Sequence, residues 1–517
     1  MVVVGGGPTG LMLAAELTLA GTDVVVVERR PDQELDGSRA GGLHARTLEV
    51  LDQRGVVDRF LAEGQIMQIV GFAGIRMDIS DFPTRHPYGL ALWQRDIERI
   101  LAGWVDELDV PFVRGEVVGV TGSDATGSDA IGSDAIGSED IDDDGVVVTL
   151  ADGRTVRGRY VVGCDGGRSV VRKTSGIEFP GTAATTAWLL AEVEMTDEPP
   201  VGMRPEGGGI GPVDRERGGS PYGVVLVDVP DEDAGPPTMD DVRTALVAAY
   251  GSDFGAHDPI RISRFDDATR QAATYRSGRV LLAGDAAHVH PPQGGQGLNV
   301  GVQDAVNLGW KLAQVVDGRS PESLLDTYHA ERHPVGAGVL HNTRAQVAVA
   351  GADDGHLALR DVLGDLLAMD QPRRTIAAMM SGLDVRYDTV HDPLPDDAAD
   401  PDGEMDLHPL VGRRMPDLDL RTDAGATRVY ELLHGARPLL LDLRPPSDRT
   451  VAPLHSDAGG RVDTVRAATD GPWELPVVGA VPAPTAVLVR PDGHVAAVGD
   501  PDDPAVLDAI GRWFGAG

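Results

Sequence analysis

The sequence predicts an α/β chain with an antiparallel β portion: a Rossmann-like nucleotide-binding domain, a β-sheet domain interleaved with it, and a separate small α/β domain at the C-terminus. Three observations carry this. Gly5-x-Gly7-x-x-Gly10 sits between a short valine run and an apolar helical stretch at the very start. Far downstream, Leu281-Leu-Ala-Gly284-Asp285-Ala-Ala-His-Val-His-Pro291-Pro-Gln-Gly-Gly-Gln-Gly297-Leu-Asn299 reads as a buried strand ending in Gly-Asp, then a glycine-rich turn into a helix. Beyond a Pro/Asp/Gly-rich stretch at 388–406, strands such as Pro438–Leu443 and Ala486–Val489 alternate with helical segments.

The bulk numbers fit. A chain of 517 residues supplies two or three domains, and 42% hydrophobic residues mark it as globular. The formal net charge of −36 argues against non-specific partnership with nucleic acid or an anionic membrane. Lysine occurs only at 173 and 311. The single cysteine, Cys164, excludes an intramolecular disulfide framework and a Cys-rich metal site, and is consistent with a reducing cytoplasm. Met1–Val4 is too short for a signal peptide, and no uncharged apolar run reaches the ~18 residues of a membrane span, so a cytoplasmic protein is expected. Only four residues precede Gly5, against about five or six in an ordinary strand, so the natural start is expected slightly upstream.

In chain order, Met1–Val4, Pro8–Ala20 and Asp23–Glu28 read as strand, helix, strand, and Val24–Val27 is the continuous apolar run of a strand buried on both faces. Leu43–Gln53 has helical apolar spacing. A low-complexity Gly-Ser-Asp repeat at 122–145, flanked by Glu116–Val120 and Val146–Leu150, reads as an expanded, solvated hairpin tip. Its aspartates lack EF-hand spacing, and His288 and His290 lack a zincin-spaced third ligand, so no metal is expected. Arg159–Val162 is a strand leading to Cys164-Asp165-Gly166, while Ala187–Met195 and Tyr222–Val229 suggest an antiparallel sheet. Val280–Ala283 is a buried strand. A helix is expected from about Leu298, and Val302–Val316 and Pro321–Val349 are helical in pattern, the latter with Ser320 as N-cap and Pro321 in its first turn.

The chemistry follows from the turns. Gly5, Gly7 and Gly10 supply a tight turn, close backbone approach to a pyrophosphate, and helix–strand packing. The helix N-terminus adds free N–H groups and partial positive charge. Glu28 ends the second strand where a carboxylate would accept ribose hydroxyls. Asp285, at the end of the late strand, would accept from a polyol, and Gly294-Gly-x-Gly297 lets backbone approach a flat ring that faces a helix N-terminus. Together the two sites describe two halves of FAD. Arg39 could pair with phosphate through its planar fork or be a solvated surface arginine; Arg46 competes between a ligand role and an ion pair with Glu49. Cys164 reads as a small core residue rather than a nucleophile.

These motifs resemble the group A FAD-dependent aromatic hydroxylases, the para-hydroxybenzoate hydroxylase fold, across nearly the whole chain. Gly5-x-Gly7-x-x-Gly10, Cys164-Asp165-Gly166 and Gly284-Asp285 correspond to that family's three fingerprints, in order. Leu43-His-Ala-Arg46-Thr-Leu-Glu49, Gln303-Asp304-Ala-x-Asn307-Leu-Gly-Trp310-Lys311-Leu and Leu325-Asp-Thr-Tyr328-His-Ala-Glu331-Arg332-His-Pro334 place the likeness nearest actinomycete aromatic-polyketide hydroxylases and the rifampicin-inactivating monooxygenases. Gly412-Arg-Arg-Met-Pro416-Asp417 and Arg490-Pro-Asp492-Gly493-His494 match their thioredoxin-like C-terminal domain, here without Cys-x-x-Cys and so without dithiol chemistry.

The resemblance implies an FAD-binding domain over 1–70, 93–180 and 277–400, a substrate-binding domain over 71–92 and 181–276, and the thioredoxin-like domain over 405–517. It implies FAD contacts from Gly5, Gly7, Thr9, Gly10, Glu28, Arg29, Arg39, Gln94, Val118, Asp165, Gly284, Asp285, Pro292, Gly295, Gly297, Leu298 and Asn299. Pro292, Gln293, Gly294 and Gly295 would border the flavin and the substrate, and Arg46 would meet the nicotinamide cofactor or the substrate. The implied activity is a monooxygenase in which NADPH (or NADH) reduces FAD, O2 adds at flavin C4a as a hydroperoxide, and the distal oxygen passes to an electron-rich ring. The leading expectation is hydroxylation of a polycyclic aromatic polyketide in antibiotic biosynthesis by a monomer or homodimer. Inactivation of a rifamycin-type drug, Baeyer–Villiger oxidation of a polyketide, and a flavin-binding sensor without turnover are the alternatives.

Overall fold

Six strands form the central sheet, in the order Arg276–Ser277, Val280–Leu282, Val161–Gly163, Val2–Val4, Val25–Glu28 and Phe112–Arg114. All neighbours pair in parallel except the first, which runs antiparallel. This is a computed structural model, and it describes residues 1–33, 41–122, 135–136, 145–204, 208–213, 219–228, 235, 237–291, 293–351, 353–388, 408–445 and 460–515. The valine-rich strands have no polar face: Val2, Val3, Val26, Val161 and Val162 are all fully buried, in one core with Leu11 of the first helix and with Val120, Val148 and Val156 of a separate small sheet. The helix Pro8–Leu19 is buried from Gly10 to Leu17 and packs against the long helix Gln296–Val316.

The chain leaves this sheet after Val161–Gly163 and returns to it at Arg276–Ser277. Between them it builds a five-stranded sheet in the order Gly202–Met203, Gly209–Pro212, Tyr222–Asp228, Ala187–Met195, Ala256–Asp266. Every pairing in it is antiparallel. Strict alternation along Ala187–Met195 sends Leu189, Ala191 and Val193 against Val242 and Leu246 of the helix Met239–Tyr250. That helix starts with a Thr238/Asp241 capping box. The other sheet face is half-buried and carries Trp188 stacked on Phe265, with ring centroids 5.1 Å apart.

The C-terminal part has its own mixed six-stranded sheet, ordered Gly425–Arg428, Asp419–Thr422, Asp463–Ala468, Leu439–Asp442, Ala486–Val489, Val495–Gly499. It also has its own core, including Leu410, Met415, Tyr430, Leu439, Leu441 and Val487.

Some elements differ from expectation. The helix expected at 43–53 spans Ala45–Asp52, because Leu43 is held in an antiparallel bridge to Leu90. The late helix begins at Gln296, immediately after Gly295 in the left-handed conformation. Ser320 does not cap the next helix: its hydroxyl donates to Gln314 Oε1 at 3.0 Å, and Pro321 opens a 3-10 turn, Glu322–Leu325, ahead of the helix Asp326–Val349. Val117–Thr121 pairs antiparallel with Val146–Leu150, as the flanks of a hairpin should. Most of the insert, and 389–406 of the expected linker, lie outside the described residues. Among the described residues no helix is long and apolar enough to cross a membrane.

Candidate active site

Parallel pairing brings the C-terminal ends of four strands to one edge of the central sheet, and the turns that follow them open there. Close approaches between glycines and neighbouring backbone then lock the turns together. Gly5 lies at φ +108°, donates its N–H to Val27 O at 2.8 Å, and has no room for a Cβ against the Cys164 carbonyl. Gly10 lies beneath it, where a Cβ would overlap the Gly5 carbonyl. Thr9 fits between Gly284 and Gly301, so the first helix and the late helix share a wall.

The result is one continuous cleft of about 540 Å³, in the size range of small-molecule sites. Gly5, Gly7, Thr9, Glu28, Arg29, Gln94, Asp165, Asp285, Gly295, Gly297 and Leu298 all line it. Two helix N-termini open onto it. Gly7 precedes the 12-residue helix Pro8–Leu19 and Gly295 precedes the 21-residue helix Gln296–Val316, and neither helix has a side-chain cap. Unpaired first-turn N–H groups and the aligned peptide dipoles make both termini favourable for negative charge.

Glu28 is braced where the second strand ends. Its Oε2 accepts from Gly6 N–H at 2.6 Å and its Oε1 from Arg30 N–H at 2.9 Å. The Arg30 guanidinium bridges Glu28 at 3.2 Å and Glu98 at 2.9 Å, and Gln94 donates to Glu98 at 2.7 Å. Burial alone would push the Glu28 carboxyl up; the two amide donors and the Arg30 charge outweigh it and hold it below the usual carboxylate range. Asp165 accepts from Val170 N–H at 2.7 Å through Oδ2, while its buried Oδ1 has no hydrogen-bond partner among the described residues.

Asn299 supports the cleft from behind. Its Oδ1 accepts from His44 N–H at 2.8 Å, and its Nδ2 donates to Gly42 O at 3.0 Å and Gly295 O at 2.9 Å, which ties the glycine turn to the segment before Ala45. His44 is pushed down to about 4 by burial, against the pull of the Gly294 and Met380 carbonyls, so the imidazole is neutral at pH 7.

The remaining expected residues fall elsewhere. Gly10, Gly284 and Asn299 are buried behind the cleft wall. Val118 does not line the cleft; it is 52% exposed, and Val117 occupies the lining position. The register shifts here, from Gly119 opposite Thr149 to Val117 opposite Leu150, which leaves Val118 as the extra residue of a bulge. Arg46 does not line the cleft either. It is 2% exposed, paired with Glu49 at 3.1 Å, and donates to the Asp492 carbonyl of the C-terminal part at 2.9 Å. Gly294, at φ +77°, packs against Met380 and Gln346 rather than the cleft, and Gln293 and Gly295 complete its short 3-10 turn. Arg39 and Pro292 lie outside the described residues.

Sequence reasoning missed Arg30, Glu98, Arg168 and His290 as lining residues. Arg30 directly follows Glu28 and Arg29, and Glu98 stands one helical turn after Gln94, so both carried a local signal. Among the described residues no three His, Cys, Asp or Glu side chains form a metal cluster.

Comparison with known proteins gives a consistent picture. A family described as "FAD binding domain" matches residues 1–343, and "Aromatic-ring hydroxylase, C-terminal" matches 408–517. The chain is 43% identical to a rifampicin monooxygenase of Streptomyces venezuelae, over 100% of this chain and 98% of that protein. It is 40% identical to the structure of OxyS, an anhydrotetracycline hydroxylase from Streptomyces rimosus, with TM-score 0.84 and coverage of 100% and 99% of the two chains. It is 39% identical to the structure of CabE, an aromatic hydroxylase from angucycline biosynthesis, with TM-score 0.80 and coverage of 99% and 98%.

Proposed function

This chain belongs to the FAD-dependent aromatic-ring hydroxylases, and on that premise we propose that it is a flavin monooxygenase that hydroxylates a polycyclic aromatic polyketide in antibiotic biosynthesis, with NADPH or NADH as reductant. The observation that carries the FAD assignment is the single cleft fed by two uncapped helix N-termini, with both Glu28 and Asp285 in its lining.

The residues present fit FAD. Glu28 would accept the adenosine ribose hydroxyls, and the N-terminus of Pro8–Leu19 would receive the pyrophosphate. Asp285 offers an acceptor to the polyol, as does the buried, unpartnered Asp165 Oδ1. Gly295, Gly297 and Leu298 would border the ring, and the N-terminus of Gln296–Val316 would favour negative charge there. When bound, FAD supplies reductive activation of O2 and delivery of one oxygen atom to an electron-rich ring. The chain supplies placement and a dry wall. Asn299 fixes the glycine turn, and His44 sits behind it as a neutral imidazole that carries no competing positive charge.

The polyketide assignment is supported by the anhydrotetracycline and angucycline hydroxylases among the relatives, and by the half-buried sheet face with its Trp188–Phe265 stack, suited to a flat ligand. A second reading, oxidative inactivation of a rifamycin, is favoured by the 43% identity to rifampicin monooxygenase. Purified protein should carry a flavin visible spectrum or gain one on addition of FAD; a colourless protein that takes up none defeats the FAD assignment. NADPH oxidation should be faster with a tetracyclic phenol than without, and the product should gain one oxygen by mass. If rifampicin alone stimulates turnover and gains oxygen, the drug-inactivation reading replaces the biosynthetic one.

A further inference from the structure

His290 stands in the cleft wall beside Asp285, yet the function above gives it no task. Its Nδ1 lies 2.8 Å from the Pro291 carbonyl, and a carbonyl can only accept, so Nδ1 carries the proton. That leaves Nε2 as a lone-pair acceptor. The atom is buried and has no hydrogen-bond partner among the described residues. Such an orphan is costly unless a ligand meets it. Burial and the neighbouring His288 hold the imidazole below its ordinary value, so it does not become a cation at neutral pH.

The surroundings narrow what it can meet. A Cβ built on Gly297 would lie 3.5 Å from His290 Nε2 and 3.7 Å from Asp285 Oδ1. Both acceptors therefore flank the same glycine, and both belong to the cleft lining. Two acceptors side by side call for a ligand that presents hydroxyl donors at close spacing. A phosphate, which has only acceptors, and an apolar ring are both excluded at this point. The bare Cα of Gly297 leaves the space between the two acceptors open.

We propose that His290 is a cofactor-binding residue: its Nε2, acting with Asp285 across Gly297, accepts a hydroxyl hydrogen from the ribityl chain of FAD. The assignment rests on the FAD reading above, and one experiment separates the two. Apoprotein of wild type, His290→Leu and His290→Gln is titrated with FAD by flavin fluorescence, and again with FAD analogues that each lack one ribityl hydroxyl; far-UV circular dichroism confirms that each variant is folded. His290→Leu should bind FAD roughly tenfold more weakly, the scale of one lost hydrogen bond. His290→Gln, which retains an acceptor at similar reach, should recover most of the loss. With the analogue that lacks the partner hydroxyl, wild type and His290→Leu should bind alike. Undiminished FAD affinity in His290→Leu overturns the assignment and leaves the FAD reading standing. A penalty of the same size on every analogue also overturns it, since that marks a packing role. No uptake of FAD by wild type overturns both.

Discussion

Glu28 shows how a ligand-reading side chain is prepared by its neighbours. Gly6 N–H, Arg30 N–H and the Arg30 guanidinium all point at its carboxylate, and Arg30 is in turn fixed by Glu98. The charge is thus held in place at the strand end with lone pairs left for a ribose. Glu28→Ala should weaken FAD binding by about 1.5–3 kcal/mol, the cost of losing a charged hydrogen-bond partner, as read by calorimetric titration of apoprotein. An unaltered Kd would remove Glu28 as a ribose ligand. Glu28 was legible in the sequence because its position depends only on a glycine loop and the length of one helix. Arg30 and Glu98 were harder, since they meet across 68 positions and no local period records that pairing. Val117 rather than Val118 lines the cleft, a one-residue difference that two chemically identical side chains conceal and only the bulge records. Arg46 illustrates the limit most clearly: Glu49, three residues on, was visible as a partner, whereas the Asp492 carbonyl, 446 residues away, was not.

At the scale of elements, the site depends on how closely two helices pack. Pro8–Leu19 and Gln296–Val316 meet through Thr9, which occupies the space left by the missing side chains of Gly284 and Gly301. This contact aligns both uncapped N-termini on the same cleft. Gly301→Ala would drive a methyl into the Thr9 hydroxyl, and overpacking of this kind costs about 1–3 kcal/mol. A lower denaturation midpoint is expected, with part of the loss recovered in the double variant Gly301→Ala/Thr9→Ala, where the hydroxyl is gone. If the second substitution restores nothing, the helix contact is not the source of the destabilisation. The elements themselves were readable from apolar runs and glycine punctuation, because buried parallel strands and long helices leave strong local patterns. Ser320 was not. It has the chemistry of an N-cap, but Gln314 competes for its hydroxyl and Pro321 stays extended at ψ 159°.

Across the whole molecule, the C-terminal part is joined to the flavin-binding part by buried charge. The loop Arg490–His494 reaches the helices of the other part, where Arg490 pairs with Glu331 at 2.5 and 2.8 Å and stacks 5.3 Å from the Trp310 ring. Lys311 and Asn307 converge on the same Glu331 carboxylate, at 2.8 and 2.7 Å, and Arg54 donates to the Pro491 carbonyl at 2.8 Å. Such a cluster contributes little over an apolar equivalent, but it is costly to break from one side. Glu331→Ala leaves Arg490 and Lys311 buried without their shared partner, and should lower stability by about 3–5 kcal/mol in urea unfolding. Acid should do the same more gradually. Burial alone would raise the Glu331 carboxyl, but Arg490 and Lys311 outweigh it and hold it at about 2, against 4.5 when free. A depressed value binds fewer protons in the folded state, so the contribution is fully present above pH 4.5 and is lost as pH falls toward about 2. The unfolding midpoint of wild type should therefore drop across that window more steeply than that of Glu331→Ala, which has no such carboxylate to protonate. Parallel slopes for the two proteins would place the acid sensitivity elsewhere and show that this cluster does not hold the two parts together.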